Sequence, residues 1–285
     1  MVKKFFLNLF IYIILFIIVS NLFALAVINI PALSKVLDFA PEVYVANINS
    51  KKTITSDTII LGDSVAHQIF KSSMGIKDSF YDLTTNQAVS LAGQYILIKN
   101  AIDNNTSIKE VYLIYHPRSF SNDLDQIWTF DYFVKPFYNF KDRKYFSQSV
   151  IKHLENIKLY KMAIFPIIKV IPNFPSLDYS RFISNSSKNR SFLSNTSVEY
   201  LIKIEEACKD KGINFKVIAC PVRESSIDDY STFKKQINDN GLQGIFKDYF
   251  KEMVISEDNL YIDDFHLKKD YIANNRQSII DNLIN

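Results

Sequence analysis

The sequence predicts an α/β protein. A mainly parallel five-stranded sheet with helices on both faces sits behind an N-terminal membrane helix. Three observations support this. Short apolar runs of strand length alternate with segments of helical periodicity between residues 56 and 285. Such alternation argues for a parallel sheet between two helical layers. Polar turn motifs follow the first and last of these runs, where ligands bind in such sheets. Finally, residues 5–29 are almost wholly apolar.

The N-terminal stretch runs from Phe5-Phe6-Leu7 to Val27-Ile28-Asn29, long enough for a helix to cross a bilayer. Lys3 and Lys4 precede it, which favours a cytoplasmic N-terminus and an exported remainder. Ala24-Leu25-Ala26 offers a signal-peptidase site, but the stretch is long for a cleaved signal. The expectation is therefore an uncleaved single-pass anchor (residues 1–29) in the cytoplasmic membrane, with the rest extracytoplasmic. Residues 30–55, punctuated by Pro31 and Pro41, read as a tether.

The strands are expected at Thr58–Leu61, Ser79–Leu83, Glu110–Tyr115, Asn214–Cys220 and Asn259–Ile262. Pro221 stops the fourth. Helices are expected over Val89–Ile102, Tyr200–Lys211, Leu242–Met253 and Lys268–Leu283, with Gly212 ending the second. Residues 119–195 break the alternation. They are dense in aromatics (Trp128 to Phe133, Pro136 to Phe140) and read as an insertion beside the active edge, ending in a polar loop over 184–197. The aromatics either fill a small core of the insertion, line a sugar- or acyl-binding cleft, or rest on the membrane surface.

Composition narrows the function. A net charge of +3 is too small for nucleic acid to be the main partner. Six scattered glycines leave no Gly-rich phosphate cradle, and no Cys/His spacing suits zinc, so no cofactor or metal is expected. Export permits a disulfide between Cys208 and Cys220, but two separately buried thiols is the preferred reading.

Two motifs carry the chemistry. Thr58–Leu61 runs into Gly62-Asp63-Ser64, and Tyr261-Ile262 runs into Asp263-Asp264-Phe265-His266. Serine needs a base within hydrogen-bond reach, and histidine has the right intrinsic pKa. Of the four histidines, only His266 has an aspartate three residues before it at a strand exit. His67 reads as structural and His153 as solvent-facing. Asp264 rivals Asp263 as the group that orients His266, and Asp63 braces the turn.

These blocks resemble the SGNH (GDSL-type) hydrolase superfamily, over about residues 56–285. The resemblance implies a flavodoxin-like three-layer sandwich in which Ser64 is the nucleophile, His266 the base and Asp263 the orienting carboxylate. The family's oxyanion blocks are missing. The second loop, Thr84-Thr85-Asn86-Gln87-Ala88, lacks the usual glycine. The third, Tyr115-His116-Pro117-Arg118, lacks Gly-x-Asn-Asp. Asn86, His116 and Arg118 stand as the oxyanion or substrate-binding candidates, with a surface salt bridge as the alternative for Arg118. The resemblance implies an exported serine esterase or O-acyltransferase. Its substrate would be acyl esters, such as acetyl, of a cell-surface glycan, and a membrane protein would deliver acyl groups in the transferase case. A non-catalytic glycan-binding or assembly protein is the alternative. A further one is that both motifs are coincidental on an unrelated α/β domain.

Overall fold

The computed structural model describes residues 2–30, 42–71, 80–86, 90–126, 128–157, 160–171 and 191–284. Residues 31–41 of the expected tether, Ser79, Gln87 to Val89, and the start of the expected polar loop (184–190) lie outside the described residues.

The first helix, α1 (Val2–Asn29), is bare for most of its length, with Ala24 and Val27 buried near its end. It is long and apolar enough to cross a membrane, a test that a signal sequence also passes. The rest of the described chain is mixed α/β. Strands β1 (Thr58–Gly62), β2 (Phe80–Asp82), β3 (Glu110–Tyr115) and β4 (Asn214–Ala219) form a parallel sheet in the order β2-β1-β3-β4. The register pairs Ile59 with Tyr81 and Val111, and Leu113 with Val217.

Side chains alternate between the faces of a strand, and the core divides accordingly. Ile59, Leu61, Val111, Leu113, Tyr115 and Val217 pack on one face with helices α2 (Glu42–Asn49), α4 (Leu91–Asn104) and α7 (Asn195–Lys209). Ile60, Tyr112, Ile114 and Ile218 pack on the other with α3 (Ser64–Phe70) and α9 (Lys269–Ile284). Serines cap the helices of the first face: Ser90 Oγ accepts from Gly93 N–H, and Ser194 Oγ from Ser197 N–H. Gly212, at φ +67°, turns the chain from α7 into β4.

Four expectations are corrected. Part of the tether is α2, whose Val43 and Ala46 join the core. Its Asn47 side chain donates to Pro136 O (2.9 Å) and Asp142 Oδ2 (3.0 Å). A one-sided apolar stripe and these buried polar bonds make it part of the domain.

The expected fifth strand at Asn259–Ile262 is a 3₁₀ turn (Asp258–Leu260) followed by a single antiparallel bridge from Tyr261 to Leu267. Its backbone bonds are made locally, Ile262 N–H to His266 O and Lys268 N–H to Leu260 O, leaving less for a ladder. Strand pairing falls earlier, where β6 (Ile255–Ser256) runs parallel to β5 (Val222–Arg223) just beyond Pro221.

Leu242–Met253 forms hydrogen-bonded turns rather than a helix, with Phe246 and Tyr249 buried against Phe120 and Phe233. The polar loop expected to run to residue 197 already gives way to helix at Asn195, because Ser194 caps α7.

Between β3 and α7 the described residues form short turns, 3₁₀ and π segments and, among other helical pieces, the small helices α5 (Gln148–Leu154) and α6 (Pro166–Val170). The aromatics here do not form a separate core. Phe120, Phe130, Phe133 and Phe137 are fully buried in the same cluster as Leu61 and Leu113. A buried carboxylate fixes the segment: Asp142 accepts from Lys51 Nζ (2.7 Å), Asn47, Asn100 and Asn139. Helix α8 (Tyr230–Asp239) packs Phe233 against Phe120. Cys208 and Cys220 are free and buried.

Candidate active site

The strand order reverses at β1, which has β2 on one side and β3 on the other. That reversal opens a crevice at the carboxyl ends of β1 and β3. The Gly62-Asp63-Ser64 turn fills it. A Cβ on Gly62 would lie 2.3 Å from Ala66 Cβ and 2.4 Å from Ile114 O, so only glycine lets α3 start this close to β3. The Gly62 carbonyl accepts from Gln94 Nε2 (3.2 Å), a buried side chain of α4.

Asp63 is the N-cap of α3 and is 4% exposed. Its Oδ1 accepts from Val65 N–H (3.0 Å) and Ala66 N–H (3.2 Å). Its Oδ2 accepts from His116 N–H (2.8 Å) and Ser119 Oγ–H (2.6 Å). One carboxylate thus joins the β1 turn to the β3 turn. The cap leaves Ser64 N–H without a partner among the described residues, facing the crevice end of the helix.

Ser64 is the first residue of α3, and its Oγ lies 2.8 Å from His266 Nε2. His266 Nδ1 lies 2.8 Å from Asp263 Oδ2 and 3.1 Å from Oδ1. Asp263 also accepts the N–H groups of Phe265 (2.8 Å) and His266 (2.7 Å), so the loop holds the carboxylate against the imidazole. Burial pushes its pKa up. The two backbone N–H bonds and the imidazole outweigh that and hold it below the ordinary carboxylate value. An ionised Asp263 keeps the proton of His266 on Nδ1, which frees Nε2 to take the serine proton. Asp264 turns outward and pairs with Arg223 (3.0 Å), so it does not orient His266.

His116, directly after β3, is 3% exposed. Its Nδ1 accepts from Arg118 N–H (3.2 Å), which leaves the ring proton on Nε2. The ring meets Phe265 edge-to-face at 5.0 Å, next to His266 in the chain. Burial pulls its pKa down to about 4; Arg118 and His266 add to that and Asp63 opposes it. At neutral pH His116 is therefore an uncharged Nε2–H donor.

The other two sequence candidates stand differently. Asn86 is exposed and its backbone N–H is taken by Glu42 Oε2 (2.8 Å), so only its side-chain amide remains to donate. The Arg118 guanidinium lies over the Phe192 ring at 4.2 Å, a cation–π contact. His67 is structural, held between Thr84 and Glu42. His153 is partly buried beside Asp123 (3.5 Å) rather than solvent-facing.

The donor role of His116 was only half legible. Its place after the third strand was, but the backbone N–H that fixes its tautomer is visible only once Pro117 and Arg118 are seen turning back over it. Comparison of the chain with protein-family models, with curated proteins and with solved structures returned no match.

Proposed function

We propose that the chain is a membrane-anchored, extracytoplasmic serine esterase or O-acyltransferase of the SGNH type. The single observation that carries the reading is the unbroken hydrogen-bonded line Ser64–His266–Asp263, drawn from two motifs 202 residues apart. The order β2-β1-β3-β4 supports a flavodoxin-like arrangement for four strands, while β5 and β6 pair in a separate two-stranded sheet.

In this reading His266 Nε2 takes the proton as Ser64 Oγ attacks an acyl carbonyl. The tetrahedral oxyanion is held by Ser64 N–H and by His116 Nε2–H, which stands in for the family's missing donors. His266 then gives the proton to the leaving alcohol, and the acyl group remains on Ser64. Water completes hydrolysis, or a sugar hydroxyl completes transfer. Acyl esters such as acetyl on a cell-surface glycan are the proposed substrates, and a membrane acyl-donor protein would be the partner in the transferase case.

Fluorophosphonate labelling of the full chain, read by mass spectrometry beside Ser64→Ala, tests the proposal. Stoichiometric adduct at Ser64 that vanishes in the variant supports it. A well-folded protein that never labels refutes it. The second reading, a non-catalytic glycan-binding protein, draws on two observations: the second loop has no glycine, and Asn86 N–H is already committed to Glu42. Unchanged glycan binding and cellular function in Ser64→Ala would favour it.

A further inference from the structure

The last two turns of α1 are covered by the soluble part, and what covers them is the insertion. Ser20 and Asn21 are half-buried and Ala24 and Val27 are buried, on a face of mostly small residues. Helix α6 packs along that face. Asn21 Oδ1 accepts from Ile167 N–H at 3.3 Å, while its Nδ2 donates to Ile17 O. On the other side of the same turns Phe23 and Leu25 stay 55% and 43% exposed.

The depth of this contact follows from helix geometry. With Lys3 and Lys4 at one interface, twenty residues at about 1.5 Å each span a hydrocarbon core of about 30 Å, which ends near Ala24. Asn21 then lies roughly 5 Å inside the outer boundary. Ile167 is hydrogen-bonded to it and shares that level. The turn just before α6 presents Phe165 (44% exposed) and Met162 (39% exposed) to the outside. Lys161 is exposed beside them, and a lysine at this level can lay its stem along apolar surface and keep its head among the headgroups.

We propose that residues 160–171 form a membrane foot. Its Met162 and Phe165 side chains enter the outer acyl chains beside α1, and the occupant of this exposed apolar patch is the lipid bilayer. Surface segments bury their apolar faces about 5–10 Å into this boundary, the depth found here. The proposal does not depend on the chemistry of Ser64.

The test uses the full chain in liposomes of phosphatidylethanolamine and phosphatidylglycerol, with cysteine introduced singly at Met162, Phe165 or Ile14 and labelled with an environment-sensitive fluorophore. Cys208 and Cys220 are buried and stay unlabelled in the native protein. Labels at 162 and 165 should be quenched at least about twofold more by shallow nitroxide lipid than by aqueous iodide, and the label at 14 by deep nitroxide lipid. Iodide quenching at 162 and 165 with Ile14 still in lipid overturns the proposal. Labels that neither quencher reaches also overturn it, because another protein or a second copy then covers the patch. Failure at Ile14 overturns it as well, since α1 is then outside the bilayer.

Discussion

Asp63 is the residue whose loss should cost the fold most at the candidate site. Its carboxylate receives five donors: three backbone N–H groups, the Ser119 hydroxyl and, more weakly at 3.7 Å, the Cys220 thiol. Replacing it with alanine removes an N-cap that satisfies two N–H groups, worth about 1 kcal/mol. It also strands the buried His116 N–H, at about 1–3 kcal/mol, while Ser119 Oγ–H can rotate to another acceptor at smaller cost. The expected destabilisation is about 2–5 kcal/mol. With a urea m-value of about 2.5 kcal/mol per molar, the midpoint should fall by about 1–2 M. Asp63→Asn should regain only the cap, because an amide oriented to keep Oδ1 as acceptor points its NH₂ at two donors. Urea denaturation in detergent, followed by circular dichroism, reads both variants. A midpoint for Asp63→Ala within about 0.3 M of the parent would refute the view that this carboxylate ties β1 to β3.

Asp263→Asn should leave stability nearly unchanged, since the carboxylate is half-exposed, yet lower kcat by about 10⁴ through the wrong imidazole tautomer; steady-state kinetics on a chromogenic acetyl ester checks it. The N–H bonds that Asp263 accepts add a small stability that is present above the ordinary carboxylate pKa and lost as pH falls through the lower native value. His116→Phe should cost about 10²–10³ in kcat with KM little changed, and His116→Gln, which keeps an N–H donor, should recover part of it. A native pKa of about 4 against 6.5 unfolded means stability is fully present above pH 6.5 and falls by about 3 kcal/mol towards pH 4. Urea midpoints across that range should decline in the parent and flatten in His116→Gln. Burial raises both thiols, Cys208 to about 12, so a thiol reagent at pH 8 should titrate none in the native protein and two after denaturation.

The four sheet strands were legible because each is an apolar run bounded by a turn signal, and Glu110–Tyr115 matched to the residue. Ser64 was legible because its motif directly ends such a run, and Asp263 and His266 because of their Asp-x-x-His spacing. Other parts depended on contacts the chain does not announce. Glu42–Asn49 is too short to show periodicity, and its place in the core depends on partners at Asn100, Pro136 and Asp142. Asn259–Ile262 reads as a strand because one polar residue is followed by Leu260, Tyr261 and Ile262, but the loop closing on His266 took its backbone bonds. The aromatics of the insertion looked like a separate core because nothing in their spacing says that Phe120 packs on Tyr115.

Glu42 is the first residue of α2, and its carboxylate meets Asn86 N–H, His67 and Lys71. His67 and Lys71 lie on or just beyond the helix that begins with Ser64. Any cut made after residue 42, whether by a protease or in preparing a soluble form, therefore strips a brace from the helix that carries the serine. A released domain that keeps the geometry described here has to begin upstream of Glu42. A fragment trimmed to the first strand would test a different, looser molecule.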